Sequence, residues 1–503
     1  MQDTRPNILF ILTDQQRFDT IHALGNPVIK TPNLDRLVNE GTIFSRAYTP
    51  SPECCPARAS LHYGQYPALT ACYSNVNDWP DDEQNSSYVN ELTQAGYRTH
   101  GVGKTHFAPR YQDMRGYQTR DIQEEVISKG GDDYIRELEE TPYGHVFEPH
   151  GARGEMYYMP QPSALPAEWH PTQWVANKSI DFINSQKDSD TPWYLTTSII
   201  NPHPPFAPPS PWHKLYRAQD MQLPKVPGNL DSLLTYYNHF QNRMKWRDRG
   251  IDENHIRCMI AYYYACISFI DHQVGRLLDT LEENGQLENT LIVFTSDHGE
   301  LLGDYNCFGK RSPHDSALRI PMICRHPETF EAGRQIDAPV NLIDLVPTFM
   351  EAAKVDLSKT KFQGNSLQSI HADPGIRNSV YAQLGTAEQA LYVIATRKWK
   401  YAYCSADGTE LLFDLEKDPL ETQNRANTPL CREIQNELKQ ELMAHLRDGG
   451  QQVAIDGENW RSYPKKSVST IPDEGTMLQD SQGFDWTIAG YKEENDDKGN
   501  WRG

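Results

Sequence analysis

The sequence has no cysteine framework: its nine cysteines are scattered at 54, 55, 72, 258, 266, 307, 324, 404 and 431, with no Cys-x-x-Cys pair. That excludes a disulfide-stapled scaffold and a zinc ribbon, and such thiols fit a reducing compartment. Positive charge is also in short supply. With 48 Lys and Arg against 68 Asp and Glu, the formal net charge is −20. A nucleic-acid partner is therefore not expected, because phosphate recognition needs clustered cations. An anionic substrate would have to be drawn in by a local basic pocket. No apolar run reaches the roughly 18 residues of a membrane span, so no membrane partner is expected. The opening Met1-Gln2-Asp3-Thr4-Arg5-Pro6-Asn7 lacks the basic and apolar regions of a signal peptide. As it stands the chain reads as soluble and cytoplasmic; a periplasmic or secreted location follows instead if a leader was removed. Internal repeats and low-complexity tracts are absent.

What is present is a 503-residue chain with a strand–helix alternation. Asn7–Thr13 is a short continuous apolar run ending in a polar turn, the pattern of a strand covered on both faces. Thr42–Tyr48, Tyr97–Val102, Trp193–Ile200 and Thr290–Ser296 read as further strands. Helices are expected from Thr31, over Tyr88–Gln94 and from about Glu253 to Glu283. This predicts an α/β fold with a large, doubly wound, mostly parallel sheet flanked by helices. Near residue 375 the character changes. Ser379–Leu384, Leu391–Cys404 and Leu411–Leu415 resemble antiparallel strands, and Pro429–Arg447 has the apolar spacing of a covering helix. The expected organisation is a catalytic α/β domain over 1–375, a small α+β domain over 376–448, and a tail over 449–503. Because the tail keeps Trp460, Trp486 and Trp501, it is expected to pack along the body.

Chemistry is expected just beyond the carboxyl ends of the strands. Asn7–Thr13 runs into Asp14-Gln15, and Thr290–Ser296 runs into Asp297-His298-Gly299-Glu300. One Asp in such a turn is commonly a helix cap; two strand ends offering Asp-Gln and Asp-His favour a shared metal site. Cys54-Cys55-Pro56-Ala57-Arg58 precedes Ala59-Ser60-Leu61-His62-Tyr63-Gly64. Pro56 alone explains itself as a first-turn proline. Gly101-Val102-Gly103-Lys104-Thr105 imitates a nucleotide-binding loop, but Arg98 stands where that loop needs glycine.

Taken together, Cys54-x-Pro56-x-Arg58 with Ala59-Ser60-Leu61-x-x-Gly64 resembles the signature of the formylglycine-dependent sulfatases of the alkaline-phosphatase-like superfamily. Thr13-Asp14-Gln15, Gly103-Lys104-Thr105-His106, Asn201-Pro202-His203-Pro204-Pro205-Phe206, Ser296-Asp297-His298-Gly299, Gly309-Lys310 and Arg319-Ile320-Pro321 follow the same family order, across about residues 5 to 330. The resemblance implies a sulfuric ester hydrolase in which a maturation enzyme oxidises Cys54 to formylglycine. It also implies one divalent cation held by Asp14, Gln15, Asp297, His298 and the modified Cys54, with Ca²⁺ the family habit; imidazole ligation leaves Mg²⁺ or Mn²⁺ open. In the implied roles, Arg58 orients the nucleophile, Lys104 and Lys310 neutralise sulfate oxygens, His106 is the base that restores the aldehyde, and His203, with Lys310, protonates the departing alcohol.

Gln15 stands where many sulfatases have a second Asp, and Asp-Gln also occurs in the related phosphonate monoester hydrolases. A phosphonate monoester or phosphodiester substrate is thus the alternative to a sulfate ester. Two-zinc members of the superfamily need a second His and Asp set, whereas the motif-bearing strand ends here account for one metal only, which disfavours simple phosphatase chemistry. His62, Tyr73, Trp79, Arg311 and His314 lie beside the motifs and are the candidate substrate-pocket residues. Arg311 could meet a further anionic group on a sugar or pair with a surface Asp. A sulfated small molecule or saccharide is the expected partner.

Overall fold

The structure, a computed structural model, describes residues 5–81, 85–125, 132–153, 156–224, 226–246 and 250–470. Nine strands build the large sheet: β1 (Asn7–Thr13), β2 (Thr42–Tyr48), β3 (Arg98–Gly103), β4 (Thr119–Ile122), β5 (Trp193–Ile199), β6 (Thr290–Ser296), β7 (Arg319–Ile320), β8 (Met322–Arg325) and β9 (Arg334–Asn341). Their spatial order is β4-β3-β5-β1-β6-β8-β2-β7, with β9 beside β2. The pairs β3/β4, β3/β5, β1/β5, β1/β6 and β2/β9 are parallel, whereas β8 runs antiparallel to β6 and β2, and β7 to β2.

β1 shows why the expected apolar run forms here. Side chains alternate across a sheet, so Ile8, Phe10 and Leu12 enter one core while Leu9 and Ile11 enter the other. The first face is covered by the helices Tyr88–Gln94 and Leu345–Ala352, through Val89, Leu92 and Phe349. The second is covered by Pro32–Glu40, Pro171–Ser185 and Glu253–Glu283, through Leu34, Val175 and Ile270. Each residue of β1, β5 and β6 is buried, which is why, Asn7 apart, all three are continuously apolar or hydroxylic and not alternating.

The C-terminal region is a four-stranded antiparallel meander: β10 (Ser379–Thr386), β11 (Gln389–Thr396), β12 (Trp399–Cys404) and β13 (Thr409–Asp414). Helix Arg432–Asp448 closes one face, with Leu438, Leu442 and Leu446 against Ile394, Tyr401 and Leu412. The other face rests on the body, with Leu391, Val393 and Phe413 meeting Leu301, Tyr305 and Leu318. The run Leu391–Cys404, expected as one strand, is divided. Thr396 Oγ1 accepts from the backbone N–H of Lys398 (3.2 Å) and Trp399 (2.8 Å) and closes a tight reversal. A hydroxyl-capped turn of this kind needs neither Gly nor Pro, so the composition showed no break.

Of the tail, residues 449–470 are described. Trp460 stacks on Tyr403 with ring centroids 4.5 Å apart, and its Nε1 donates to Tyr401 Oη at 2.8 Å. Trp486 and Trp501 lie outside the described residues. Among the described residues, no helix is long and apolar enough to cross a membrane.

One consequence of the strand order sets the site. β3, β5, β1 and β6 are consecutive neighbours, all parallel, so the segments leaving their carboxyl ends converge. Lys104, Asn201, Asp14 and Asp297 are the residues immediately or shortly beyond those ends.

Candidate functional site

Backbone bonds continue the sheet one residue past the strands. Asp297 N donates to Thr13 O and Asp14 N to Ile199 O, both at 3.1 Å, and Lys104 N donates to Ser198 O at 3.2 Å. The chain then turns sharply. At Gly103, with φ +89°, a Cβ would lie 2.0 Å from Ser198 O, so only glycine lets β3 end here and aim Lys104 inward. Gln15 adopts the left-handed region without being glycine, at φ 66°. Its carbonyl accepts from Tyr263 Oη at 2.6 Å, and its N–H donates to Asp297 Oδ1 at 3.0 Å; these two bonds hold the strained residue in place.

Helix Cys54–Tyr63 brings its first residue to these strand ends. Cys54 Sγ lies 3.2 Å from His298 Nε2, 3.6 Å from Asp14 Oδ1 and 2.7 Å from Lys310 Nζ, which donates to it. The ligand atoms of Asp14, Cys54, Asp297 and His298 all fall within 4.8 Å of one another, and all four residues are buried. His298 Nδ1 donates to Gly299 O at 3.0 Å, so Nε2 is the ring nitrogen that faces the cluster. Gln15 joins them. Its Nε2 donates to Glu300, while its Oε1 is buried and meets no hydrogen-bond partner among the described residues. Two carboxylates and an imidazole gathered this closely, with an orphaned amide oxygen on the residue next to Asp14, are a donor set that fits a divalent cation. Glu300 also accepts from Gly309 N at 2.5 Å and Tyr158 Oη at 3.0 Å, so the amide cannot flip freely.

Cations surround the carboxylates. Arg58 Nε donates to Asp297 Oδ2 at 2.8 Å and Nη2 to Asp14 Oδ2 at 3.3 Å; Nη1 donates to Lys104 O and Ser198 Oγ at 2.7 and 3.0 Å. Lys104 Nζ lies 2.7 Å from Asp14 Oδ2. Burial opposes ionisation of Asp14, yet Lys104, His203, Lys310 and Arg58 together hold its carboxyl well below the usual range. Burial likewise opposes charge on Lys104, and Asp14 and Glu125 overcome it, so Lys104 stays protonated.

Asp14, Gln15, Cys54, Arg58, Lys104, Asp297, His298 and Lys310 are thus gathered in one buried cluster. His203 joins its rim, with Nε2 3.4 Å from Tyr157 Oη. His106 sits on the turn after Lys104 at φ 61°, where Glu124 Oε1 accepts from its N–H at 3.0 Å.

Of the residues expected to line a substrate pocket, His62 and Trp79 border a small cavity together with Arg58 and Lys104, and Tyr73, Arg311 and His314 do not line it. His62 lies in a box of Tyr63, Trp79, Tyr88 and Phe107 rings. Trp79 is buried there and donates from Nε1 to Cys55 Sγ at 3.0 Å. Tyr73 bonds Gln451 at the seam with the C-terminal region. His314 packs against the rings of Tyr305 and Phe413 in that same seam. Arg311 pairs with Glu53, next to Cys54, and donates to Gln241 at 2.6 Å. Its carboxylate partner is therefore not a surface Asp. Sequence reasoning did not single out Glu125, Ser198 or Glu300, which bond Lys104, Arg58 and Gln15, nor Arg153, which bonds Glu125. Only Glu300 had a signal, since it ends the Asp297-His298-Gly299-Glu300 string.

Comparisons with known proteins add an independent line. A family model described as Sulfatase matches residues 6–355, and one described as N-sulphoglucosamine sulphohydrolase, C-terminal, matches residues 303–448. An arylsulfatase from Clostridium perfringens is 30% identical over 497 residues, covering 93% of this chain and 100% of its own. An N-acetylglucosamine-6-O-sulfatase from Bacteroides thetaiotaomicron is 25% identical, covering 87% of this chain and 86% of its own. Among solved structures, a phosphonate monoester hydrolase of Agrobacterium radiobacter superposes with a TM-score of 0.74 at 23% identity, covering 92% of this chain and 100% of its own. At that identity the likeness speaks for the fold.

Proposed function

The chain belongs to the sulfatase family of sulfate-ester hydrolases, and from that premise we propose that it removes sulfate from a carbohydrate, with residue 54 as nucleophile. The observation that carries this reading is the placement of Cys54 Sγ between Lys310 Nζ at 2.7 Å and His298 Nε2 at 3.2 Å, at a helix start facing two carboxylates. In the mature enzyme residue 54 would be formylglycine, whose hydrate supplies a hydroxyl nucleophile; the thiol sulfur marks where its oxygens stand. Asp14, Gln15, Asp297 and His298 would hold one divalent cation, which lowers the pKa of that hydroxyl and orients a sulfate oxygen. Calcium follows family habit, with magnesium or manganese compatible with the imidazole.

The protein's own groups supply the rest. Arg58 is locked by Asp297, Asp14, Lys104 O and Ser198, so it stays fixed beside residue 54. Lys310, pinned near Cys54 and kept charged against burial by its anionic neighbours, neutralises sulfate oxygens together with Lys104. His203 Nε2 serves the departing alcohol oxygen, and His106 takes a proton from the residue-54 group when sulfate is released. The sugar preference rests on relatives named for sugar sulfates. The neutral Gln15 in the cation's shell supports a second reading, a phosphonate monoester or phosphodiester substrate at the same site.

Parallel assays of p-nitrophenyl sulfate, a methylphosphonate monoester and a panel of sulfated saccharides decide between them. A kcat/KM highest on one sulfated sugar supports the first reading; a methylphosphonate ester preferred to every sulfate overturns it in favour of the second.

A further inference from the structure

The site contains a carboxylate that none of these roles uses. Glu125 Oε2 accepts from Lys104 Nζ at 2.8 Å, and Oε1 accepts from Arg153 Nη2 at 2.7 Å. The same Oε1 faces His203 Nε2 at 3.5 Å. All four side chains are nearly enclosed: 13% of Glu125, 10% of Arg153, 3% of His203 and none of Lys104 is exposed. His203 can use only one nitrogen toward the site, because Nδ1 donates to Pro204 O at 2.7 Å. Nε2 is left facing Glu125 and Tyr157 Oη.

From this arrangement we infer that Glu125 is a positioning residue that orients His203 Nε2 and favours its protonated form for delivery of a proton to the departing ester oxygen, and that Arg153 holds Glu125 in place for it. The inference rests on the sulfatase reading above. Deep enclosure disfavours the imidazolium, and an anion facing it favours it. Burial, the largest influence, holds the His203 pKa well below the ordinary value even with Glu125 in place, and Glu125 is the largest influence that offsets it. Lys310 and Lys104 act against protonation, and Asp14 acts for it. Glu125 itself stays ionised despite burial because His203, Lys104, Arg153 and Lys310 surround it.

The step balances as follows. As the bond from sulfur to the leaving oxygen breaks, its electron pair stays on that oxygen, which takes the proton from Nε2. Sulfur gains its replacement bond from the nucleophile at residue 54, and His203 is left neutral until solvent reprotonates it. Glu125 gives up no proton; it stabilises the imidazolium before the transfer. The demand for that proton depends on the leaving group. A sugar alkoxide is too basic to leave without one, whereas p-nitrophenolate departs unaided.

The test compares the mature enzyme with its Glu125→Gln and Arg153→Met variants on p-nitrophenyl sulfate and on the best sulfated saccharide. For Glu125→Gln, kcat/KM on the saccharide is expected to fall by about 100-fold, the low end of general-acid contributions, with about threefold or less lost on p-nitrophenyl sulfate. Arg153→Met should show the same split at smaller size, and Glu125→Gln should add little to a His203→Gln background. Equal losses on both substrates in both variants overturn the inference, as does a saccharide rate that is unchanged. If the wild-type protein turns over neither sulfate ester, the sulfatase reading has failed, a result distinct from either of these.

Discussion

Arg58 and Asp297 form a buried ion pair, Nε to Oδ2 at 2.8 Å, with 3% of the arginine side chain and none of the aspartate exposed. The pair joins the helix that carries Cys54 to the end of β6, so the nucleophile position and the proposed cation site are one rigid unit.

Arg58→Met therefore strips a buried charge of its partner and leaves Asp14 and Asp297 facing each other. The expected cost is about 3–5 kcal/mol of unfolding free energy. Denaturant titration with and without Ca²⁺ checks it, and the loss should shrink when the cation is present to offset the two carboxylates.

Cys54 and Cys55 are adjacent but differ in surroundings. Cys54 meets Lys310 and His298, whereas Cys55 Sγ packs 3.7 Å from Cys72 Sγ under Trp79. Cys54→Ala is expected to abolish turnover while cation binding largely persists, and Cys55→Ala to retain turnover. Mass analysis of the residue-54 peptide from a host with the maturation enzyme should show aldehyde in place of thiol; an entirely unmodified thiol in an active protein would move the nucleophile elsewhere.

Chelation should lower the thermal midpoint as well as remove activity, since a ligand that binds only the folded state at 100 times its Kd contributes about 2.7 kcal/mol. Glu300 holds the Gln15 amide through its Nε2, with Oε1 left buried and without a hydrogen-bond partner among the described residues. Glu300→Ala is expected to weaken cation affinity by roughly 10–100-fold, measured by calorimetric titration of Ca²⁺ into the chelated protein.

Burial inside its aromatic box, aided by Arg115 and Arg120, lowers the His62 pKa to about 3. The unfolded chain binds this proton below about 6.5 and the folded chain does not. Stability is therefore lost as pH falls from about 6.5 toward 3, by about 1.4 kcal/mol per pH unit for this residue. His62→Phe should flatten the stability–pH curve over that window; an unchanged slope would mean the imidazole is already charged in the folded state.

Lys400 Nζ is fully buried between Asp315, at 2.7 Å, and Glu421, where the C-terminal sheet meets the body. Lys400→Met leaves two buried acids without their cation and should cost about 3–5 kcal/mol. A separate early unfolding transition, seen by calorimetry, is the expected sign that this seam has opened.

The strand runs and strand-end motifs were readable because local rules place them. A continuously apolar β1 has to be buried on both faces, and the residue after a buried parallel strand has to emerge at the carboxyl edge. Asp14, Lys104 and Asp297 needed only that rule and the strand order. The reversal between β11 and β12 was not readable, since Thr396 closes it with a single hydroxyl and neither Gly nor Pro marks the turn.

Position next to a motif carried much less. Lys310, Arg311 and His314 are close in sequence, yet Lys310 reaches Cys54, Arg311 turns at φ 61° toward Glu53, and His314 enters the seam with the C-terminal sheet. A single left-handed residue reverses the direction of the chain, and sequence spacing does not record it. The sequence by itself determined the α/β class, the family chemistry and the cluster around Cys54, because these follow from strand burial and residue type. Only the tertiary structure decided that Glu125 and Arg153, from segments without a motif, stand against Lys104 and His203, because contacts between irregular segments depend on how the whole chain packs.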